Sequence, residues 1–508
     1  MIDLALFVFG RHYTVIMDSA TKTTRILPSP FWRALQKALP ADAILMKPAD
    51  VAVYECDGLP VYRARPQAVV LPRTQAQVGA VLQLCQEFGV PVVARGAGTG
   101  LSGGALPCAD GIVLSLARMT RILDVDRGNR TARVEPGVRN IAISEAAAPY
   151  GLFYAPDPSS QIACSIGGNV AENAGGVHCL KYGLTVHNVL AVKFFTVDGV
   201  LHELGGPTAE GPLDLLALLI GSEGLLGVVV EITVRLRAKP PVTIALLAAF
   251  RSLEAGAACV QEVISVGLIP AGLELMDTLA LQAAQAYTGV PYPAGAVSVV
   301  LAEVDGGTSA AALDQRRLRA ILERHGAFAI EEAYSEEDRR RLWLGRKSAF
   351  PAVGRLAPDY YCMDGTIPRR ALVFVLSEIA ALSAQYGLPV ANVFHAGDGN
   401  LHPLILYDAR KEGALAHVER LGGEILQLCL RHGGTISGEH GVGVEKLDGM
   451  CAQFTAAELG TFHALKAAFD PHELLNPGKA IPLPARCVAP GGMHVHAGQL
   501  PFAHLARF

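Results

Sequence analysis

The chain has 508 residues, of which 51% are hydrophobic and 18% are charged, with 43 Lys and Arg against 47 Asp and Glu. This composition supplies large buried cores and excludes a disordered chain, and the net charge of −4 excludes a general nucleic-acid binder, which needs a basic face. Each apolar run is far shorter than the roughly 20 residues of a membrane span, and no basic segment precedes the first run, so we expect a cytoplasmic protein without a signal peptide.

Shifts in composition divide the sequence into four parts. Residues 1–54 are predicted to form an N-terminal helical arm, and residues 55–240 a mixed α/β domain that ends at the Lys239-Pro240-Pro241 step. Strands and helices alternate over residues 241–470, which predicts a second domain. Residues 471–508 form a tail rich in Pro, Gly and His.

Hydrophobic periodicity predicts the elements at the start of the first domain. A short apolar strand covers 69–72, and Thr74 then caps a helix whose apolar residues repeat at helical spacing until Gly89 ends it. Further strands are predicted at 90–94, 112–116 and 297–303, and further helices at 372–386 and 415–429.

A glycine-rich loop, residues 95–104, follows the second predicted strand directly. Backbone N–H groups in such a loop can close around a pyrophosphate, because no side chain blocks the approach. The loop contains the G-x-G-x-x-G spacing from Gly98 to Gly103, but Gly104 and Pro107 break the helix that a Rossmann fingerprint needs at this point. We therefore predict pyrophosphate binding without a Rossmann fold; a plain glycine hairpin is the alternative.

A second run of small residues supports a cofactor site. Residues 156–160 carry the sequence PDPSS, and residues 165–176 carry SIGGNVAENAGG. So many small side chains leave a flat backbone surface that a planar ring could occupy. The pattern alone does not specify the ring.

Several motifs together identify a family. The segments RPQAVVLP, RGAGTGLSGG, SIGGNVAENAGG, KYGLTVHN and GSEGLLG resemble the FAD-binding domain of the vanillyl-alcohol oxidase type. The segments GRKSAFPAVGR, PDYYCMDGTIP, NVFHAGDGNLHPL, ISGEHGVG and LLNPGK resemble the FAD-linked 2-hydroxy-acid dehydrogenases, and the resemblance extends to the tail segment MHVHAGQLPF. It implies an α+β fold, with a two-subdomain FAD-binding domain over 55–240 and an α+β cap, the C-terminal domain of FAD-linked oxidases, over 241–470.

The resemblance also implies how FAD binds. FAD is expected to lie extended between two subdomains with its pyrophosphate on the glycine loop, and the chain is expected to re-enter the FAD domain near residues 476–478. Some relatives attach the flavin to a histidine in the loop, but Gly96 and Ala97 stand there, so non-covalent FAD is expected. The expected FAD-binding residues are Arg95, Gly96, Ala97, Gly98, Thr99, Gly100, Leu101, Ser102, Pro156, Asp157, Ser159, Gly167, Gly168, Asn173, Gly175, Gly176, Tyr182, Gly183, Gly227, Val228 and Asn476.

Two histidines flank a predicted turn in the second domain. His395 and His402 lie between the apolar segments 391–394 and 404–407, which are predicted to pair as a hairpin. Two imidazoles that face each other across such a turn can bind one metal ion with Glu439 as a third ligand, although a structural histidine pair is the alternative. The resemblance implies zinc at these three residues; manganese and iron also suit nitrogen and oxygen ligands.

His440 and Arg346 are the predicted catalytic residues. Adjacent side chains diverge, so His440 does not share the metal face with Glu439 and can act as a base with an ordinary pKa near 6.5; a hydrogen-bonded loop histidine is the alternative. The resemblance implies that the Arg346 guanidinium holds the substrate carboxylate, with a surface position as the alternative. Cys362 and Leu404 replace polar groups of the 2-hydroxyglutarate branch, which favours a small monocarboxylic acid.

The resemblance and these residues imply one reaction. The metal lowers the pKa of the substrate hydroxyl, His440 takes the proton, and hydride leaves the α-carbon for FAD. Glycolate would give glyoxylate, and D-lactate the corresponding 2-oxo acid. The alternatives are a stand-alone FAD-linked D-lactate dehydrogenase and a non-catalytic FAD-binding scaffold.

The reduced flavin needs an electron acceptor. The ten Cys residues include no CxxC pair, so the chain has no iron–sulfur motif and its thiols are expected to be reduced and mostly buried. The resemblance implies two partners, a second FAD-domain subunit and an iron–sulfur subunit, with membrane contact only through them. The tail residues His494, His496 and His504 fit a docking surface, and we prefer an accidental cluster to a metal site.

Overall fold

The computed structural model describes residues 26–206, 212–484 and 486–488, and the tail motif with its three histidines lies outside them. The strands of the first domain are β1 (Ile44–Leu45), β2 (Ala68–Val70), β3 (Val92–Arg95), β4 (Ile112–Ser115), β5 (Ile122–Asp126), β6 (Thr131–Val134), β7 (Leu152–Phe153), β8 (Val189–Phe195), β9 (Leu201–Gly205), β10 (Val228–Arg235) and β11 (Arg237–Ala238). Its helices are α1 (Ser29–Ala38), α2 (Pro48–Ala52), α3 (Gln75–Phe88), α4 (Asn140–Ala147), α5 (Ile166–Glu172), α6 (Cys179–Tyr182), α7 (Thr185–Asn188) and α8 (Leu215–Leu219).

Two sheets build the first domain. In the first sheet, of order β1-β2-β4-β3, strands β2, β4 and β3 run parallel and β1 pairs antiparallel at the edge. All residues of β2 and β4 are buried, as expected for parallel strands covered on both faces. The second sheet is antiparallel with the order β5-β6-β10-β8-β9. The two sheets are the two subdomains expected for the FAD domain.

Helix α3 forms where the sequence predicts it. The Thr74 side chain accepts a hydrogen bond from Gln77 N (3.3 Å), and Gly89 ends the helix in the left-handed conformation with φ of +61°. Phe31 of α1 packs against Phe88 of α3 with ring centroids 5.8 Å apart. Residues 1–25 of the predicted N-terminal arm lie outside the described residues; the described part, residues 26–54, is not purely helical and not separate, since α1 joins the core and β1 extends the first sheet.

The second domain consists of one large sheet with helices packed against it. Its strands are β12 (Val242–Phe250), β13 (Gly272–Asp277), β14 (Ser298–Gly306), β15 (Ala329–Ala333), β16 (Asp359–Cys362), β17 (Gly365–Thr366), β18 (Val390–Phe394), β19 (Asn400–Leu401) and β20 (Pro403–Tyr407). Its helices are α9 (Leu253–Ser265), α10 (Thr278–Thr288), α11 (Thr308–Arg324), α12 (Glu336–Lys347), α13 (Ala349–Ala352), α14 (Leu372–Tyr386), α15 (Ala414–Arg431), α16 (Leu447–Gln453) and α17 (Ala456–Phe469).

Seven antiparallel strands form the large sheet in the order β15-β12-β14-β13-β18-β20-β16. Strands β13, β18 and β20 are buried at every position, so the centre of this sheet is the core of the second domain. After α17 the chain returns to the first domain, where Leu475 pairs with Val92 of β3. The return places residues 476–478 beside the glycine loop.

The cysteines depart from expectation at one place. Eight are free, but Cys451 and Cys487 form a disulfide across 36 residues, so the expectation of reduced thiols is wrong for this pair. A disulfide between residues this far apart leaves no short Cys spacing motif from which the sequence could predict it.

None of the helices in the described residues is long and apolar enough to cross a membrane.

A partly buried polar cluster joins the two domains. His178 of the first domain places Nδ1 2.8 Å from Asp157 Oδ2 and Nε2 3.2 Å from Oε1 of Glu303 on β14. Trp343 Nε1 donates to the other oxygen of Glu303 (2.9 Å). Burial alone would lower the pKa of His178, but the two carboxylates raise it well above its ordinary value. The imidazolium is therefore the form that holds the two domains together.

We expect His178→Gln to lower the free energy of unfolding by about 2 kcal/mol at pH 6, because charged hydrogen bonds to Asp157 and Glu303 are lost. A raised pKa gives stabilisation that is fully present below the unfolded value near 6.5 and is lost as the pH rises through the folded-state value. The difference in thermal midpoint from the wild type should therefore be largest at pH 6 and shrink in alkaline buffer. His472→Gln changes an exposed histidine and is the control; an equal difference at both pH values would contradict the prediction.

Candidate active site

A cavity of about 370 Å³ lies between the two domains. The glycine loop lines one side of it, and His402, Glu439 and His440 line the other. The fold therefore brings together the two groups of residues that the sequence marks for cofactor binding and for chemistry.

The glycine loop leaves β3 without entering a helix, so the rejection of a Rossmann fold is confirmed. Gly98 and Gly103 have φ of +72° and +76°, which glycine adopts without strain. Arg95 turns its guanidinium beneath the loop, where Nη1 donates to the carbonyl oxygens of Cys56 (2.8 Å) and Ala105 (3.4 Å). These hydrogen bonds hold the Arg95 guanidinium against the loop, and the backbone of the glycine loop remains accessible from the cavity.

The expected FAD-binding residues fall into two groups. Those that line the cavity are Arg95, Gly96, Ala97, Gly98, Thr99, Gly100, Leu101, Ser159, Gly167, Gly168, Gly227 and Val228. Those that do not line it are Ser102, Pro156, Asp157, Asn173, Gly175, Gly176, Tyr182, Gly183 and Asn476. One of the second group holds the lining in place, since Asn476 Nδ2 donates to the carbonyl oxygens of Gly104 (3.0 Å) and Glu223 (2.7 Å), two residues that line the cavity.

His395 and His402 meet Glu439 on the second-domain side. His395 follows β18 and His402 precedes β20, and the pairing of these strands places the two ring centroids 5.1 Å apart. Nε2 of His395 lies 3.1 Å, and Nε2 of His402 3.2 Å, from Oε1 of Glu439. Two nitrogens and one oxygen at this separation could bind one divalent cation.

Two carboxylates flank His395, since its Nδ1 lies 2.9 Å from Glu274 Oε1 while its Nε2 faces Glu439. Burial alone would lower the pKa of His395, but these carboxylates raise it to about 10. Burial would raise the pKa of Glu439, but His395 and then His402 lower it to about 2. The surroundings therefore favour a positive charge where the three side chains meet.

The guanidinium of Arg346 forms an ion pair with the carboxylate of Glu274. Its Nε and Nη2 lie 2.7 Å and 2.6 Å from Glu274 Oε2, and both side chains are buried. Arg346 does not line the cavity, whereas the next residue, Lys347, does. Neither Glu274 nor Lys347 is among the site residues predicted from the sequence; the one signal for Glu274 is an acidic residue inside an apolar strand.

Asp364 fixes the loop that carries Glu439 and His440. Its carboxylate accepts hydrogen bonds from the backbone N–H groups of Gly438 (3.0 Å), Glu439 (3.1 Å) and His440 (2.9 Å), and from Lys446 Nζ (3.1 Å). Asp364 and Lys446 are both fully buried. These two residues were also missed, because nothing in their local sequence distinguishes them from a surface ion pair.

His440 stacks on His402, with ring centroids 4.9 Å apart and the rings 8° from parallel. Its Nδ1 is buried and has no hydrogen-bond partner among the described residues. Burial lowers the pKa of His440 to about 4 against the attraction of Asp364, so the expectation of an ordinary value near 6.5 is wrong. The imidazole is therefore neutral at neutral pH, which is the form that accepts a proton.

Both domains match known protein families. Residues 66–205 match the family described as FAD binding domain, and residues 239–480 match FAD linked oxidases, C-terminal domain. The structure of p-cresol methylhydroxylase with substrate bound superposes with a TM-score of 0.75 over 89% of this chain and 96% of that chain at 17% identity, which shows a shared fold. The expected fold class is thereby confirmed.

Similarity to characterised proteins extends along most of the chain. The glycolate oxidase subunit GlcD of Escherichia coli K12 is 58% identical over 94% of this chain and 95% of its own length. GlcD of Bacillus subtilis is 38% identical over 85% and 93%, and the D-lactate dehydrogenase of Archaeoglobus fulgidus is 33% identical over 81% and 91%. The chain therefore belongs to the FAD-linked oxidases and is an FAD-dependent oxidoreductase with a vanillyl-alcohol-oxidase-type FAD domain.

Proposed function

We propose that this chain oxidises a small 2-hydroxy acid to the 2-oxo acid with FAD as the hydride acceptor, and that glycolate and then D-lactate are the preferred substrates. The observation that carries the proposal is the single cavity lined by the glycine loop and by His402, Glu439 and His440. The relatives named glycolate oxidase subunit and D-lactate dehydrogenase support this substrate class. A non-catalytic scaffold would not need the buried histidines and carboxylate.

The glycine loop fits FAD. A Cβ on Gly96 would lie 2.2 Å from Ser165 Oγ, and a Cβ on Gly103 would lie 2.5 Å from Val444, so the backbone is too closely packed for larger residues. The Ser165 hydroxyl is buried without a hydrogen-bond partner among the described residues and can serve a ligand. Bound FAD supplies a two-electron acceptor for hydride. Gly96 and Ala97 offer no nucleophile, which supports non-covalent binding.

The histidine cluster fits a divalent metal, with zinc as the first candidate. His395, His402 and Glu439 would hold the ion, because their donor atoms converge on one point. The hydrogen bond between His395 Nδ1 and Glu274 keeps Nε2 directed at the cluster. A bound ion lowers the pKa of a hydroxyl that coordinates it.

The proton of the substrate hydroxyl is then transferred to a residue of the protein. His440 takes the hydroxyl proton on Nδ1, and its stacking on His402 keeps the ring beside the cluster. Arg346 is expected to hold the substrate carboxylate; the ion pair of its Nε and Nη2 with Glu274 also gives it a positioning role through Glu274 and His395.

Substrate size and electron transfer complete the proposal. Cys362 and Leu404 are buried and supply no cation for a second carboxylate, which supports a monocarboxylic acid. The two GlcD relatives are named as a subunit of glycolate oxidase, and the ten Cys residues include no cluster motif. Electrons would therefore pass to partner subunits, a second FAD-domain subunit and an iron–sulfur subunit, through which the chain would also contact the membrane.

The function is tested by mixing the oxidised holoprotein anaerobically with glycolate, D-lactate or 2-hydroxyglutarate and following the flavin absorbance. We expect glycolate and D-lactate to bleach the flavin, and 2-hydroxyglutarate to do so far more slowly. Loss of the base in His440→Asn should slow bleaching by roughly 100- to 10,000-fold. The proposal fails if the wild-type flavin stays oxidised with every 2-hydroxy acid.

The metal assignment predicts that Glu274→Gln lowers metal affinity by about 10- to 100-fold, because His395 loses the carboxylate that orients it. Elemental analysis of dialysed protein measures the loss, and circular dichroism checks the fold. Glu439→Gln should lose the metal without leaving Arg346 unpaired, and Glu412→Gln changes an exposed acid as a control. Equal metal content in all the proteins, or none in the wild type, would refute the assignment.

The loop geometry predicts that Gly96→Ala lowers the flavin content of the purified protein severalfold, because the added methyl group displaces Ser165 or the loop backbone. The ratio of flavin to protein absorbance measures the effect. Gly460→Ala is the matched control, since a Cβ there meets nothing within 4 Å. Full flavin content in Gly96→Ala would show that the loop is not the binding surface.

A further inference from the structure

Glu172 is an acidic residue of the cavity wall that the proposed reaction does not use. It is the last residue of α5, and it lines the cavity between the domains. Its Oε2 is buried and has no hydrogen-bond partner among the described residues. A buried polar atom without a partner costs free energy unless a ligand supplies one. We propose that Glu172 is a neutral carboxylic acid and that it donates a hydrogen bond to bound FAD.

The carboxyl group of Glu172 lies where the glycine loop meets the loop of His440. A Cβ on Gly104 would lie 2.9 Å from its Oε1, and a Cβ on Gly441 would lie 2.5 Å from its Oε2. Gly104 ends the glycine loop, and Gly441 directly follows His440. The carboxyl group therefore borders both the surface that fits FAD and the loop that carries the proposed base.

A second carboxyl group lies beside the first. The same Cβ on Gly441 would lie 2.9 Å from Glu223 Oε1, so Glu172 and Glu223 flank one glycine. The two oxygens of Glu223 accept hydrogen bonds from the N–H groups of Val442 and Gly443, each at 2.7 Å. Two neighbouring carboxyl groups in a buried site do not both ionise readily. Because the donors stabilise the charge on Glu223, the proton belongs on Glu172.

The charges around the pair favour the same assignment. Burial, and then the charge of Glu223, raise the pKa of Glu172 well above its ordinary value, and Asp57 adds to the rise. Lys479 and Lys446 oppose it with smaller effects. Burial also raises the pKa of Glu223, but its two backbone donors act against that rise. The pair therefore differs in the direction that places the proton on Glu172.

The two lysines near the pair have other partners. Lys446 Nζ lies 3.1 Å from Asp364 Oδ2 in an ion pair. Lys479 Nζ donates to the carbonyl of Gly104 (3.0 Å). In the part of the chain that the structure describes, no ion pair of Glu172 with a cation is found. An ionised Glu172 would therefore be a buried charge without a direct counter-charge, which is costly.

Ser165 supplies an independent sign of a ligand at the other end of α5. It directly precedes the helix and lines the cavity, and its hydroxyl is buried without a partner among the described residues. Both ends of α5 thus present hydrogen-bonding atoms that the protein leaves unmatched. FAD offers acceptor oxygens and nitrogens along its whole length, and its diphosphate is anionic. A neutral acid adds a donor to the cavity wall, whereas a carboxylate would repel the diphosphate.

The test measures how tightly the holoprotein holds FAD. The FAD-loaded protein is diluted in steps, and the FAD that dissociates is measured by its fluorescence at several pH values between 6 and 9. The variants are Glu172→Gln, whose amide can donate in the same place but cannot ionise, and Glu172→Ala, which cannot donate. Glu203→Gln and Glu203→Ala change an exposed acid of the same domain and are the matched controls. Thermal unfolding of each protein checks the fold.

We expect Glu172→Ala to weaken FAD binding by about 10- to 100-fold at pH 6, because a hydrogen bond to the cofactor is lost. Glu172→Gln should stay within about threefold of the wild type at this pH. As the pH rises, the wild-type carboxyl group loses its proton, so wild-type FAD binding should weaken relative to Glu172→Gln. A shift of the flavin absorption bands in Glu172→Ala would assign the bond to the ring, and weaker binding with an unchanged spectrum would assign it to the ribityl diphosphate.

Three results would overturn the proposal. Equal FAD binding by the wild type and Glu172→Ala would show that the group does not contact the cofactor. An equal loss in Glu172→Gln and Glu172→Ala would show that Glu172 acts as an anion. Wild-type binding that strengthens relative to Glu172→Gln as the pH rises would show the same. None of these measurements requires turnover, so the proposal stands or fails independently of which 2-hydroxy acid the chain oxidises.

Discussion

The buried carboxylate of Asp364 is the constraint on which the active site depends. A charge without exposed surface is costly to bury unless its oxygens are matched by donors and a counter-charge. Lys446 supplies the counter-charge and, with the nearby histidines, holds the pKa of Asp364 well below its ordinary value against the effect of burial. The donors include three consecutive backbone N–H groups, from Gly438 to His440. Satisfying one carboxylate therefore fixes the direction of the Glu439 and His440 side chains together.

The same loop also joins the two domains. Beyond His440, the N–H groups of Val442 and Gly443 donate to the carboxylate of Glu223 in the first domain, each at 2.7 Å. Val444 N then donates to the carbonyl of Ser102 in the glycine loop (3.0 Å). The segment that carries Glu439 and His440 is thus attached to the wall of the cavity between the domains. Hydride transfer needs donor and acceptor in contact, and a misplacement of about 1 Å can cost roughly 100-fold in rate. Because the loop that carries Glu439 and His440 is hydrogen-bonded to both domains, it fixes the distance between these side chains and the glycine loop.

Local sequence patterns predicted helices, strands and turns. The contacts between residues far apart in the sequence depend on long-range packing. Helix 372–386 has the predicted ends, and the strands beside His395 and His402 pair as predicted, because periodicity, caps and turns act over a few residues. Glu274 lies 121 residues from His395, and only the pairing of β13 with β18 brings the two together. Asp364 and its backbone partners are separated in the same way. A single buried acid has no spacing that marks it in a sequence, so the groups that orient the site were the ones missed.

Arg346 and Lys347 are consecutive cations of α12 with different surroundings. Consecutive helical residues point about 100° apart, so α12 cannot direct both cations at one space. Arg346 faces β13, where the buried acid of Glu274 requires a counter-charge, and two of its nitrogens hold that carboxylate rigidly. Lys347, in the last turn, faces the cavity with an ammonium on a flexible stem. A rigid ion pair suits the orientation of His395, which the same carboxylate contacts. The different surroundings of the two cations therefore follow from helix geometry and from the position of the sheet behind them.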